Sequence, residues 1–361
     1  MRTVLVLMAM TVIFSCNRTS STSGEVSVKK EAETVSSVKE NTVRPGTGKR
    51  YFDLFDTVST IYSYAEDTES EFDERSDLAY DTLNYYHRLG DIYYEYSGMN
   101  NLKTVNDNAG NGEWIDIDPL LTEFLIYARE MYYLTDGEMN IMMGAVLNLW
   151  HDARESEEHF VPSMEELLER SRHTDFSLLE IDEENSRVRI TDEEASIDCG
   201  ALMKGYATEM AAKALIDEGV DHYVLNIGGN IRIIGEKLDG SGWSTGIRDP
   251  QNPDDAFKLR LMISDTACVT SGTYERYFMV DGKKYHHIID KDTLLPANYY
   301  DSLTVLTLDS GLADCLSTAL FCMDYEAGLA LCESLGNVEC VWIFPSGEVR
   351  ATDGIEDRII N

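Results

Sequence analysis

Asp314 and Thr318 stand four residues apart in the apolar run 312–321, so a helix there carries both on one face with Ser317 beside them. A carboxylate with hydroxyls is a hard-oxygen set, suited to Mg²⁺ held jointly with substrate phosphates. The same residues also fit a plainer role: Asp314 favouring a helix N-terminus and Thr318 bonding back to a carbonyl of its own helix. Spacing alone favours the plainer role.

A second cluster, 197–206, gathers Asp198, Gly200, Ala201, Lys204 and Gly205 where a strand gives way to a helix, and small residues there let backbone approach a ligand. Lys204 fits either a pyrophosphate or open solvent, and the P-loop spacing is missing. Asn226, Gly228, Gly229 and Asn230 read equally as a tight turn or as backbone meeting a ligand. His286 and His287 end a β-prone segment, where a histidine suits either proton transfer from a hydroxyl or a structural place. No Gly-x-Ser-x-Gly, His-Glu-x-x-His or Gly-x-Gly-x-x-Gly run occurs in a fitting context. Serine hydrolases, zincins and dinucleotide-binding folds of that type therefore lack support.

Those residues need a frame. Alternation predicts a strand over 51–64, and a long helix follows over 71–96 with an aromatic stripe at Tyr80, Tyr85, Tyr86, Tyr93 and Tyr94. Asp118 and Pro119 open a helix that runs to about 134, and 135–140 is a loop. The acidic stretch 155–184 reads as peripheral, with a helix at 164–172. Strands are expected at 187–190 and 223–227, on either side of a helix from 197–200 through 215. Short β-prone runs at 232–235, 243–247, 258–264, 267–271, 301–308 and 339–344, with helices at 312–323 and 325–335, complete an α+β class. No period of 20 to 50 residues repeats.

The chain has 361 residues, 43% of them hydrophobic, enough for a proper core. Its formal net charge of -35, from 65 acidic and 30 basic residues, repels polyanions, so nucleic acid is excluded as a partner. Residues 1–16 combine Arg2, an apolar run of about twelve residues, too short to span roughly 30 Å of hydrocarbon, and then Ser15 and Cys16. This reads as a lipoprotein signal resembling a bacterial lipobox, with Cys16 as the lipidated residue. Residues 17–49 have the composition of a disordered tether, leaving 50–361 as one catalytic domain. The expected location is a bacterial membrane, with the catalytic domain exported to the periplasmic or cell-surface side. The remaining cysteines, Cys199, Cys268, Cys315, Cys322, Cys332 and Cys340, lack CxxC or zinc-finger spacing and read as buried thiols, although an exported chain permits disulfides.

In order along the chain, the segments Phe55-Asp56-Thr57, Tyr96 with Asn106, Asp116-Ile117-Asp118-Pro119, Thr135-Asp136-Gly137, Asn148-Leu149-Trp150 and Asp198 through Tyr206 resemble the ApbE family, the FAD:protein FMN transferases. The resemblance continues through Asn226–Asn230, Thr270-Ser271-Gly272 with Glu275-Arg276, His287-Ile288-Ile289-Asp290 and Asp314–Leu320, and spans about 52–335. It implies an ApbE-like, T-fold-related arrangement of mixed sheets packed with helices. It also implies Mg²⁺ held by Asp314, Thr318, Ser317 and the Ala201 carbonyl against the FAD pyrophosphate. FAD contacts then fall to Phe55, Tyr96, Glu138, Met139, Asn140, Asp198, Lys204 and the backbone near Ile288, and His287 serves as the base.

The implied reaction carries FMN from FAD to a Thr or Ser hydroxyl of a redox protein bearing a Ser/Thr-Gly-Ala-Ser/Thr-like motif, with AMP leaving. Alternatives are a Mg²⁺-dependent FAD pyrophosphatase and a non-catalytic FAD-binding lipoprotein. The chain departs from the family's usual pattern where Lys291 and Leu294 replace a proline and a glycine, and where Glu138 and Met139 replace an Ala-Phe pair.

Overall fold

The strands of the main sheet lie side by side in the order in which the chain makes them. A computed structural model describes residues 42–252 and 257–360, so Cys16 and most of the expected tether lie outside the described residues. Strands Thr47–Leu54, Thr57–Ser63, Tyr223–Ile227, Asn230–Ile234, Ala267–Gly272, Ser302–Thr307, Glu339–Ile343 and Val349–Ala351 form one sheet, every neighbouring pair antiparallel. Excursions between strands carry the helices, a small sheet of Ile115–Asp116, Arg187–Ile190 and Leu179–Asp182, and the hairpins Trp243–Arg248/Phe257–Ile263 and Phe278–Val280/Lys283–Tyr285.

Both faces of the sheet are covered, which is why its central strands read as apolar runs. Along Tyr223–Ile227, Tyr223, Leu225 and Ile227 face a core made with the helices, while Val224 faces the opposite core with Trp243, Ile247 and Leu261. Each such side chain contributes roughly 1.5–3 kcal/mol on burial. On the helical face lie Glu69–Gly90, Met203–Asp217 and Ser310–Cys322. The first is opened by a capping box between Thr68 and Glu71 and buries Phe72, Ser76, Ala79, Leu83 and Tyr86 at helical spacing.

The structure corrects four sequence readings. Residues 51–64 are a hairpin rather than one strand, turning at Phe55 and Asp56 with φ of 52° and 50°. The helix expected over 71–96 ends at Gly90. Asp91 accepts from the amides of Tyr93 and Tyr94 at 2.7 and 3.0 Å and from the Tyr96 hydroxyl at 2.8 Å, drawing the chain into a turn. Tyr93 and Tyr94 are therefore exposed instead of joining a helical stripe. The acidic 155–184 stretch contributes a paired strand, Leu179–Asp182. Finally, order begins ahead of residue 50: Thr47 opens the first strand and the Val43 amide donates to the Asp67 carbonyl at 2.8 Å.

Candidate active site

The Ser310–Cys322 helix is positioned by its first residues. Asp309 caps it, accepting from the Leu312 amide at 2.9 Å, so the N-terminal duty that spacing offered to Asp314 belongs to another residue. The Ser310 amide donates to Glu209 Oε2 at 2.8 Å and its hydroxyl to Asn230 Oδ1 at 2.6 Å. Arg232 Nε in turn donates to Glu209 Oε2 at 3.1 Å, and the two ion-pair partners are 6% and 5% exposed. Sequence reasoning missed Glu209 and Arg232 because they look like ordinary surface charges until the sheet is assembled.

Asp314 is thereby held against the Met203–Asp217 helix. Its carboxylate accepts from Lys204 Nζ at 3.0 and 3.2 Å and from the Gly205 amide at 2.7 Å. A Cβ on Gly205 would lie 2.3 Å from that of Asp314, so glycine is required for the two helices to approach this closely. Thr318, one turn on, is half-buried. The back-bond expected of Thr318 is made by Ser317 instead, which donates to the Asp314 carbonyl at 3.0 Å and meets Ser271 Oγ at 2.9 Å. Ser317 thus fastens the helix to strand Ala267–Gly272. Ala201 lies half-buried in the turn before Lys204. Among the described residues no three His, Cys, Asp or Glu side chains gather as metal ligands.

Around the neighbouring Glu275, Lys204 is joined by further cationic side chains in a strongly acidic protein. Burial raises the pKa of Glu275, opposed by the nearby charges of Arg248, Lys204 and Arg276. Arg276 itself stands at φ 43°, a left-handed conformation that non-glycine residues adopt at some energetic cost. His287 is exposed, and one ring nitrogen bonds the Glu275 carbonyl, leaving the other as an acceptor. Desolvation there, then the charges of Arg276, His286 and Arg154, push its pKa down to about 3. The near-neutral value expected for a base is therefore not that of the free chain. His286 is structural: Nδ1 accepts from the Ile288 amide at 3.3 Å, so Nε2 donates to the Ala297 carbonyl at 2.7 Å.

Asp198 lies by the same charges. Burial raises its pKa, while His151, Arg276 and Arg154 lower it, and its Oδ1 accepts from the Gly200 amide at 2.8 Å. The segment is clamped by Asn106, whose amide group pairs with the Ile197 backbone at 2.8 and 2.9 Å in imitation of a strand. Among the remaining candidates, Phe55 packs edge-on to His87 at the hairpin turn, and Tyr96 is held by Asp91 with Arg88 over its ring. Met139 is buried in the core. The Asn140 side chain is spent on the Met142 amide and the Thr174 carbonyl, both at 2.9 Å. Ile288 uses its amide on His286 and its carbonyl on Ala297, and its side chain is core.

Two departures from the family pattern meet in space. Lys291 Nζ lies 3.2 Å from Glu138 Oε1, the pair 28% and 14% exposed, joining the 135–140 loop to the 290–295 turn. Burial raises the Glu138 pKa more than Lys291 lowers it, whereas the Lys291 pKa, lowered by burial, ends raised by Asp292 and Glu138, so attraction outweighs desolvation on the lysine side only. A double-mutant cycle on Glu138→Ala and Lys291→Ala is expected to give a coupling of about 0.5–1.5 kcal/mol in urea unfolding.

Leu294, at the position where the resemblance expects a glycine, is left-handed at φ 59°, and its carbonyl accepts from Trp150 Nε1 at 3.0 Å. Its side chain is 3% exposed among Trp150, Phe278 and Val146. A left-handed leucine costs about 1–2 kcal/mol, but emptying such a site costs about 2–5 kcal/mol. Packing wins: Leu294→Gly is expected to lose about 1–3 kcal/mol by denaturant unfolding.

The fold is thus a helix-backed antiparallel sheet of the α+β class, with a buried carboxylate paired with lysine where two of its helices meet. The ApbE family model matches residues 55–342, and the chain belongs to the ApbE family. It is 31% identical over 277 residues to the FAD:protein FMN transferase of Treponema pallidum, covering 72% of this chain and 74% of that protein. To a Klebsiella pneumoniae protein of the same name it is 30% identical, covering 68% of this chain and 75% of that one. The crystal structure of the ApbE protein from Thermotoga maritima superposes with a TM-score of 0.77 at 27% identity, covering 87% of this chain and 99% of that one.

Proposed function

We propose that this chain transfers the FMN half of FAD to a Thr or Ser hydroxyl of another protein, releasing AMP. The transferase names of its relatives support the activity. The observation that carries the reading is the Lys204 ammonium seated on both oxygens of the buried Asp314 carboxylate. Asp314 already holds a cation, and the Thr318 hydroxyl and Ala201 carbonyl are hard oxygens on adjoining turns, so these residues fit Mg²⁺. Asp314 and Thr318, with Ser317 and the Ala201 carbonyl, would hold Mg²⁺, which would neutralise the charge that develops on the phosphate oxygens.

The chain's own residues supply positioning and proton transfer. Lys204 and Arg276 offer the pyrophosphate charge-assisted hydrogen bonds. The acceptor oxygen forms a bond to the FMN-side phosphorus as the bond from that phosphorus to the bridging oxygen breaks and AMP departs. His287 takes the hydroxyl proton at the ring nitrogen not bonded to Glu275. His287→Gln is expected to leave FAD binding intact and slow transfer by about 10²–10⁴-fold. Because the free chain holds His287 neutral far below its ordinary 6.5, its kcat/KM is expected to stay flat as pH falls through that value.

The test mixes the protein with FAD, Mg²⁺ and a domain bearing a Ser/Thr-Gly-Ala-Ser/Thr-like motif, and reads the domain's intact mass. A gain of one FMN with loss of water supports transfer. Free FMN and AMP with an unmodified domain replace it with pyrophosphatase action, and intact FAD leaves a binding protein. We further propose a membrane-anchored, exported protein lipidated at Cys16; among the described residues no helix is long and apolar enough to cross a membrane. Metabolic labelling with a fatty-acid analogue should mark the wild type and not Cys16→Ala.

A further inference from the structure

All six cysteines among the described residues are buried thiols, and two of them meet. Cys332 Sγ and Cys340 Sγ lie 3.3 Å apart, at 1% and 0% exposure. Alternation along Glu339–Ile343 turns Cys340 and Trp342 toward the helical layer, while Val341 and Ile343 face the opposite core. On the Tyr325–Leu335 helix, the buried face is marked by Gly328 and Cys332, one turn apart. The connection between them is set by Gly336 at φ 70°, whose amide donates to the Cys332 carbonyl at 3.1 Å. Helix end, tight turn and strand pleat therefore aim both thiols at one point. The other cysteines with a sulfur contact are directed to backbone oxygens, Cys199 to the Gly90 carbonyl and Cys322 to that of Ile289.

We propose that Cys332 and Cys340 form a reversible disulfide that staples the Tyr325–Leu335 helix to the main sheet. The sulfurs must close to about 2.05 Å, a movement within reach of side-chain rotation. The oxidant is a small-molecule disulfide such as oxidised glutathione. One cysteine thiolate attacks it and expels glutathione thiolate. The second cysteine then attacks the mixed disulfide and expels the other glutathione, so two thiols give up two electrons and two protons to the oxidant. Burial makes the Cys340 thiol reluctant to ionise and shuts both sulfurs off from solvent, so exchange runs through local opening of this outer helix or during folding. The bond would close the core of Leu316, Leu320 and Phe321 behind Asp314, and it depends on neither flavin transfer nor lipidation.

The test equilibrates the purified full chain in glutathione buffers of graded redox poise, both as the native protein and refolding from denaturant. Samples are quenched with acid, unfolded and alkylated, and their intact mass is read. The expected result is a loss of two alkylation sites at the oxidising end, reversed by reductant. Cleavage after Glu333 and Glu339 separates the two cysteines onto peptides that remain joined until reduced. Cys332→Ser and Cys340→Ser should each abolish the joined pair. Full alkylation of every thiol in both the native and refolded samples at the most oxidising poise, or a bond joining other cysteines, overturns the proposal.

Discussion

Asp314→Asn is expected to lower the rate of FMN transfer by about 10²–10³-fold, the scale of removing one preorganised electrostatic group from an active site. The substitution preserves shape, and its amide oxygen can still accept from the Gly205 amide that now bonds Asp314 at 2.7 Å. What it removes is the negative charge holding a cation between the two helices. Lys204, now paired to both carboxylate oxygens, would be released toward the phosphates. FAD should therefore still bind, and without added Mg²⁺ it should bind at least as well as to the wild type. The decisive measurements are single-turnover transfer rates and FAD titrations with and without Mg²⁺. A rate within a few-fold of wild type would remove Asp314 from the chemistry.

The largest stability effect is expected at Arg232→Met. It leaves Glu209 buried without its partner, and breaking such a pair costs about 3–5 kcal/mol, a large part of the roughly 5–15 kcal/mol that holds a domain together. Burial already raises the Glu209 pKa, with Arg232 the main group opposing it, so the orphaned carboxylate would take up a proton. Its bond from the Ser310 amide would weaken, loosening the start of the helix that carries Asp314. Adding Glu209→Leu should recover only part of the loss, because the double variant removes both charges but leaves Ser310 without its acceptor. Urea unfolding of the single and double variants checks the order. A single variant within 1 kcal/mol of wild type, against the estimate above, would mean that the pair is dispensable.

Much of the frame was legible because it rests on local rules. Strands Arg187–Ile190 and Tyr223–Ile227 and helix Tyr325–Leu335 fall where alternation and helical spacing place them, and Asp118 with Pro119 opens its helix as read. Boundaries failed where a side chain overrode the pattern. At Asp91 one carboxylate outcompeted a helix, and at Phe55 and Asp56 two residues entered a left-handed turn that their types do not advertise.

Ser317 meets Ser271 on another element, a partner that no local spacing encodes.

The residues themselves determine which chemistry is available: a carboxylate with hydroxyls at helical spacing, a lysine beside glycines, and a histidine ending a β-prone run. Only tertiary structure decided that Lys204 meets Asp314 across a separation of 110 residues, that Asn106 clamps Ile197 across 91, and that Glu138 and Lys291, two separate departures from the family pattern, become one ion pair. Periodicity reports the side of an element that is buried, because that depends on neighbours a few residues away. Which charges then face each other depends on how distant segments close over the sheet, and no local spacing encodes that.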